Sequence, residues 1–291
     1  MSVFIRQHAL PMAFNKEAWI ILNPVEQSIK TKIEKYGTPL KDWDVNIYRG
    51  ILTGCNEAFI IDGAKRAELI AADPKSDEII RPILRGKDIK RGEYNFADKW
   101  LICTFPSLKI NIDDYPAVKN WLANGNWTLE KTKGNIPTPI GTGKLRLEQT
   151  GATHTVGGIT FKSRKQTNNK WFETQDSIGY WNDFSKHKIC YSETNDANAT
   201  KIAFDTDGYF TDKTCFIMLG RTDEETKQLY EILSSEVFSW YMKFLAPLLG
   251  TTGISLTKDC VELFPAYKDP NKGYDLSEEE KSWISSSLKR A

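Results

Sequence analysis

The sequence predicts an α+β fold: a twisted, mixed β-sheet with flanking helices and a long C-terminal scaffold helix. Two observations carry this. Stretches with the period of a strand and stretches with the period of a helix alternate irregularly along the 291 residues, with no regular βαβ series. Hydrophobic residues make up 40% of the chain, with 14 Phe, 11 Tyr and 9 Trp, enough for a sizeable core and too much for a disordered or collagen-like chain.

Taken in order, Val25, Ile29 and Ile33 share one face of a helix over 24–36, stopped by Gly37 and Pro39. Alternation of large and polar residues over 43–48 predicts a strand entering a turn at Arg49-Gly50, and Ala58 to Ile61 a second strand. Residues 65–72 are again helical in pattern, and Ser76 is the expected N-cap of a helix over 76–84 that buries Ile79, Ile80, Ile83 and Leu84. WLICTF (100–105) has the length and apolar character of a strand; 115–124 is expected to be helical, and 125–158 loop and short strands. Residues 188–192 form a further strand, and 203–204 with 214–219 a hairpin or neighbouring strands about the Asp207-Gly208 turn. Leu229, Ile232, Leu233, Val237, Phe238, Tyr241 and Phe244 predict one long buried helix over 223–245, with Pro247 at its end. Ser277, ahead of three glutamates, is expected to cap a last short helix. The predicted organisation is a linker and helix over 1–40, a main domain over 41–222, and a helical scaffold and tail over 223–291.

Several function classes lack their chemistry. The 39 Lys and Arg against 38 Asp and Glu remove the case for a globally basic nucleic-acid binder, so any such role must lie in local patches. The cysteines (55, 103, 190, 215, 260) are odd in number and widely spaced, and His8, His154 and His187 are scattered, so neither a disulfide framework nor a metal site is expected. Gly141-Thr142-Gly143-Lys144 has the wrong spacing for a dinucleotide site. It also fails as a phosphate loop, with Thr138 in place of the first Gly and Leu145 in place of Ser/Thr. No nucleophile elbow or H-E-x-x-H helix is present, and Asn23-Pro24-Val25-Glu26 keeps only two letters of the amino-methyltransferase tetrapeptide. No catalytic or metal-binding residue is therefore assigned, and no apolar run approaches a membrane span. The opening MSVFIRQHALPMAF lacks a signal peptide's pattern, so a cytoplasmic location is expected. One alternative is a metal-dependent nuclease, since Asp77 and Asp88-Ile89-Lys90 have roughly the spacing of paired carboxylates with an assisting lysine.

Two segments are locally basic. RPILRGKDIKR (81–91) sets Arg81, Arg85, Lys87, Lys90 and Arg91 against Asp88 alone, and Lys162, Arg164, Lys165 and Lys170 are interleaved with Thr167, Asn168 and Asn169 without an acid. Lys and Arg neutralise phosphates, while Arg and Asn can pair with purine edges. The alternative is that both are solvated faces, or that they bind an acidic protein partner as a scaffold in phage defence.

The order of motifs adds to this. GTPLKDW (37–43), IYRGILTGCNEAFIID (47–62), IIRPILRGKDIKR (79–91) and WLICTF (100–105) are followed by RLEQTG (146–151), RKQTNNKWFETQDSIGYW (164–181), KICYSE (188–193), AFDTDGYFTDKTCFIM (203–218) and LFPAY (263–267). Together they resemble the TaqI-like C-terminal specificity domain, the target-recognition region of type IIG restriction-modification enzymes and adenine-specific DNA methyltransferases. The resemblance covers roughly 30–268. It implies that 41–222 is a DNA target-recognition domain, with double-stranded DNA and a methyltransferase domain or subunit as partners. No cofactor is expected in this chain; S-adenosylmethionine and magnesium would belong to separate catalytic domains. The segment LLGTTGISLTKDC (248–260) departs from the family, having Lys258 as its single basic residue where further basic or aromatic residues are usual.

The expected DNA-contacting residues are Arg49, Thr53 and Asn56 in the turn after the first strand; Arg85, Lys87, Lys90 and Arg91 as phosphate grips; and Lys162, Arg164, Lys165, Asn168, Asn169 and Lys170 for bases or backbone. Asp88 is expected to orient a neighbouring arginine. Trp171 and Trp181 are expected in the core, and the helix over 223–245 to make no contact with DNA.

Overall fold

Helix α1 (Pro24–Tyr36) starts where Asn23, still extended, accepts hydrogen bonds from the Val25 and Glu26 amides at 3.0 Å, while the Glu26 carboxylate accepts the Asn23 amide in return. Ile29 and Ile33 are fully buried, as their spacing predicts. At Gly37 a Cβ would lie 2.4 Å from the Pro265 carbonyl oxygen, so the absent side chain is what lets Thr38–Pro39 pair with Pro265–Ala266. The molecule is a computed structural model describing residues 22–125, 127, 139–269, 271 and 273–289.

Strand β1 (Asn46–Arg49) leads through a helical turn at Asn56–Phe59 into β2 (Ile60–Asp62) and helix α2 (Gly63–Ala72). Strands β3 (Ile80–Leu84) and β4 (Lys99–Ile102), helix α3 (Pro116–Asn124) and the hairpin β5 (Thr153–Val156) and β6 (Ile159–Lys162) follow. Next come β7 (Lys188–Ser192), β8 (Thr194–Asp196), β9 (Ile202–Asp205), β10 (Phe210–Thr211) and β11 (Cys215–Leu219). The chain then runs through α4 (Asp223–Leu233), α5 (Glu236–Leu245), β12 (Leu248–Leu249), β13 (Gly253–Ser255) and α6 (Glu278–Lys289).

A four-stranded antiparallel sheet, ordered β9-β7-β11-β1, lies between two cores. All residues of β7 and β11 are buried, so alternation sorts them by face rather than between core and water. Cys190, Cys215, Ile217 and Leu219 enter the first core; Ile189, Tyr191, Phe216 and Met218 enter the second. The second core is closed by α1, α4, α5 and α6 through Ile29, Leu229, Trp240 and Ile284. The first contains a second sheet, β10-β3-β4-β2, and takes Leu69 from α2 and Leu122 from α3. On the central sheet Lys188 and Asp205 form an ion pair with both side chains fully buried, and Asp205 also accepts the Asp207 and Tyr209 amides at 2.9 Å. The fold is α+β.

Several expected elements differ. Residues 76–84 are not a helix: Asp73, not Ser76, caps a short 3₁₀ segment (Pro74–Ile79), and β3 follows. Pro82 has no amide for a helical bond, and the β-branched isoleucines suit a strand. The long helix over 223–245 is two helices, because Ser235 leaves the helical region and its hydroxyl accepts the Phe238 amide at 3.2 Å as a new N-cap. The strands over 203–204 and 214–219 both form but are not neighbours; β7 separates them. Of the strand expected over 58–61, Ile60 and Ile61 lie in β2 while Ala58 and Phe59 belong to the helical turn Asn56–Phe59, and Gly143–Leu147 is a short helix within the expected loop. Ser277 does cap the last helix, accepting the Glu280 amide at 3.2 Å while the Glu280 carboxylate takes its own at 2.8 Å.

Candidate functional site

Where β3, β4, β7 and the turn before β11 end near one another, they leave a cleft of about 560 Å³. Its floor is the turn after β3. There Asp88, itself 6% exposed, holds Arg85 through Nε at 2.8 Å, a terminal guanidinium nitrogen at 2.9 Å and the backbone amide at 2.9 Å. A two-point carboxylate contact fixes the plane of the guanidinium, so Arg85 is oriented before anything binds. Asp88 therefore has the orienting position the sequence suggested. Gly86 donates its amide to the Thr214 hydroxyl at 2.8 Å, and a Cβ at Gly86 would sit 2.8 Å from Ser192 Oγ. Close approach of the two turns thus requires glycine there.

Lys87, Lys99 and Lys201 also line the cleft, with Glu57 and Asp212 as its acids. Burial pushes the Asp212 carboxyl above the usual range, against opposing hydrogen bonds from Thr214. Asn56 and Ile60 line it as well. The lysines give mobile positive charge, and the fixed Arg85 gives a planar donor array; together they suit phosphate and the acceptor edges of bases.

Of the residues expected from sequence, Asn56, Arg85 and Lys87 line this cleft. Arg49 is exposed outside it, bound to Glu193 at 2.7 Å and to the Lys213 carbonyl at 3.0 Å. Lys90 and Arg91 are exposed on the following turn, where the Lys90 amide bonds the Glu93 carbonyl. The other expected basic loop contributes nothing to the cleft lining, although Lys162, Lys165, Asn168 and Lys170 are all exposed.

Three of the expected contact residues are instead structural. Arg164 is 3% exposed and donates to the carbonyls of Leu147 (2.8 Å), Thr53 (2.8 Å) and Trp171 (2.7 Å). Burial pulls its guanidinium down to about 10, and it still carries its charge at neutral pH. It fastens the basic loop to the turn after β1, which is why it cannot face a ligand. Thr53 is fully buried, and the Asn169 amide donates to the Thr174 and Gln175 carbonyls at 3.1 Å. A basic residue flanked by polar ones carries no sequence mark of pointing inward.

Sequence reasoning missed Lys99, Lys201, Glu57 and Thr194. Lys99 opens β4 and Lys201 precedes β9, positions that read as ordinary strand flanks. They belong to different sheets, so only the packing of the two sheets brings them together.

The paired carboxylates of the nuclease alternative do not converge. Asp77 bonds Arg66 at 2.6 Å ahead of β3, and Asp88 is held by Arg85 beyond its other end. The five residues of β3 span roughly 16 Å, far beyond the ~4 Å of a two-metal site. Among the described residues no group of three His, Cys, Asp or Glu could hold a metal ion, and no helix is long and apolar enough to cross a membrane. All five cysteines are buried and free, with burial pushing the Cys55 and Cys190 thiols up to about 12.

Residues 81–265 match the family described as the TaqI-like C-terminal specificity domain. No curated protein matches the chain. Among solved structures, it is similar to the type IIG restriction endonuclease BpuSI, with 12% identity, a TM-score of 0.43 and 92% of this chain covered. It is also similar to the type IIL restriction-modification enzyme MmeI in complex with DNA, with 12% identity, a TM-score of 0.45 and 86% covered. The chain spans 28% of the length of each.

Proposed function

The chain belongs to the TaqI-like C-terminal specificity domain family, and we propose that it recognises a DNA target and that the cleft lined by Arg85 is where it grips the duplex. The observation that carries this is the convergence of Arg85, Lys87, Lys99 and Lys201 from separate segments of the chain on one opening. A chain with almost no net charge has concentrated basic groups where a phosphate can reach them. Lysines neutralise phosphate as point charges, and Arg85, already held by Asp88, loses little freedom when it binds.

On this reading the chemistry lies elsewhere. A methyltransferase domain or subunit would bind S-adenosylmethionine and modify adenine, and any magnesium-dependent cleavage would belong to a further domain. This chain would hold the duplex and select the site. The exposed Lys162, Lys165, Asn168 and Lys170, which do not line the cleft, would offer a second set of contacts to DNA.

Duplex binding measured against salt tests the grip. Counterion release predicts that Lys99→Ala and Lys201→Ala each weaken binding to all sequences and lower the slope of log affinity on log salt by about 0.9 for each phosphate left without its lysine. Unchanged slopes in both variants would remove the cleft from the interface.

A further inference from the structure

We propose that Asn56 and Glu57 form a base-reading pair in the cleft, a donor beside an acceptor that selects adenine over guanine at one position of the site. This rests on the DNA-recognition reading above. Most polar groups lining the cleft are already committed. Arg85 is held by Asp88, Asp212 accepts from the Thr214 amide, and the Ser192 hydroxyl donates to the Thr194 carbonyl at 2.9 Å. The lysines offer donors only. Asn56, Glu57 and the exposed Thr194 hydroxyl are left, and of these Asn56 and Glu57 are neighbours in the chain that supply an amide donor and a carboxylate acceptor.

Their orientation is set from behind. Thr53, fully buried, donates its hydroxyl to Asn56 Oδ1 at 2.7 Å and accepts the Cys55 amide at 3.1 Å, so the hydroxyl cannot turn away. With its oxygen held back, Asn56 presents its NH₂ group to the cleft it lines. The Cys55 thiol lies 3.4 Å from one oxygen of Glu57, and burial keeps that thiol protonated and donating. Glu57 is half-buried and lines the cleft beside Asn56 in the chain.

Adenine presents N7 as acceptor and N6 as donor in the major groove, the complement of an amide NH₂ beside a carboxylate. Guanine presents two acceptors, and its O6 would face Glu57 without a proton between them. Cytosine satisfies Glu57 alone, and thymine satisfies Asn56 alone.

Selection from a random duplex library, with sequencing of the bound fraction, tests this on the whole chain. Wild type is expected to enrich a motif with adenine at one position by about 10-fold or more over guanine. Glu57→Gln, whose amide can turn to donate to O6, should accept guanine at that position and leave the others unchanged. Asn56→Ala should lose purine preference at the same position. If Glu57→Gln enriches the wild-type motif with the same adenine-to-guanine ratio, or loses all sequences equally while its thermal unfolding matches wild type, the pair is not the reader. If wild type enriches no motif, the recognition reading itself fails.

Discussion

Arg164 shows how far a single residue can be misjudged from its neighbours. Charge and hydrogen-bonding company place it on a DNA-facing loop; the structure places it inside, serving three carbonyls. That of Thr53 also takes the Gln175 amide, but those of Leu147 and Trp171 accept from no other described residue. Replacing Arg164 strands these two acceptors and frees the basic loop from the turn after β1. Arg164→Ala is accordingly expected to cost about 3 kcal/mol or more of stability in urea unfolding, well above the fraction of a kcal/mol expected for exposed Lys165→Ala. Equal, small losses in both variants would mean that Arg164 is not a tie. Asp88 is the opposite case: a lone acid among five bases is conspicuous, and the arginine three residues before it is within reach, so its orienting place was legible.

At the scale of elements, one cap was legible and two were not: Ser277 caps the last helix as expected, while Asp73 takes the place expected of Ser76 and Ser235 starts a helix where none was expected to begin. The Ser277–Glu280 capping box was visible as serine before glutamates, and it does more than start α6. Glu280 also accepts Ser28 Oγ at 2.7 Å and Lys32 Nζ at 2.8 Å, tying the last helix to the first described one. Burial pushes the Glu280 carboxyl up, but these bonds and the Ser277 amide more than reverse it and hold it at about 2, below its ordinary 4.5. A carboxyl depressed in the folded state stabilises above its unfolded pKa and loses that contribution as pH falls through the folded one. Stability should therefore decline between about pH 4.5 and about 2 in wild type, and Glu280→Gln should flatten that part of the curve. Parallel acid-unfolding curves would contradict the clamp. The break at Ser234-Ser235 was hidden, because apolar spacing continues in phase across it; only the serine pair itself could have betrayed a cap.

For the whole molecule, the α+β class was legible because strand and helix periods are distinct in the sequence. The order of strands was not. All positions of β7 and β11 are buried, so no alternation between core and water says which neighbours they take or that each face meets a different core. The cleft depends on that order and on how the two sheets pack, and hence the sequence revealed its Arg85 turn but not Lys99 or Lys201. The buried Lys188–Asp205 pair joins neighbouring strands of the same sheet. Removing one partner leaves a charge without compensation in the interior. Asp205→Ala should cost about 3–5 kcal/mol, and replacing both residues with apolar ones should restore part of the loss, the Asp207 and Tyr209 amides still lacking their acceptor. If the single and double variants unfold alike, the pair's burial is not what sets that cost.

The central claim is that duplex DNA enters the cleft, and lysine-reactivity footprinting read by mass spectrometry tests it most directly. Adding duplex should slow modification of Lys87, Lys99 and Lys201 together, with Lys75, on the 3₁₀ segment outside the cleft, as the unprotected reference. If DNA binds while the three cleft lysines react at their free rates, the account is contradicted.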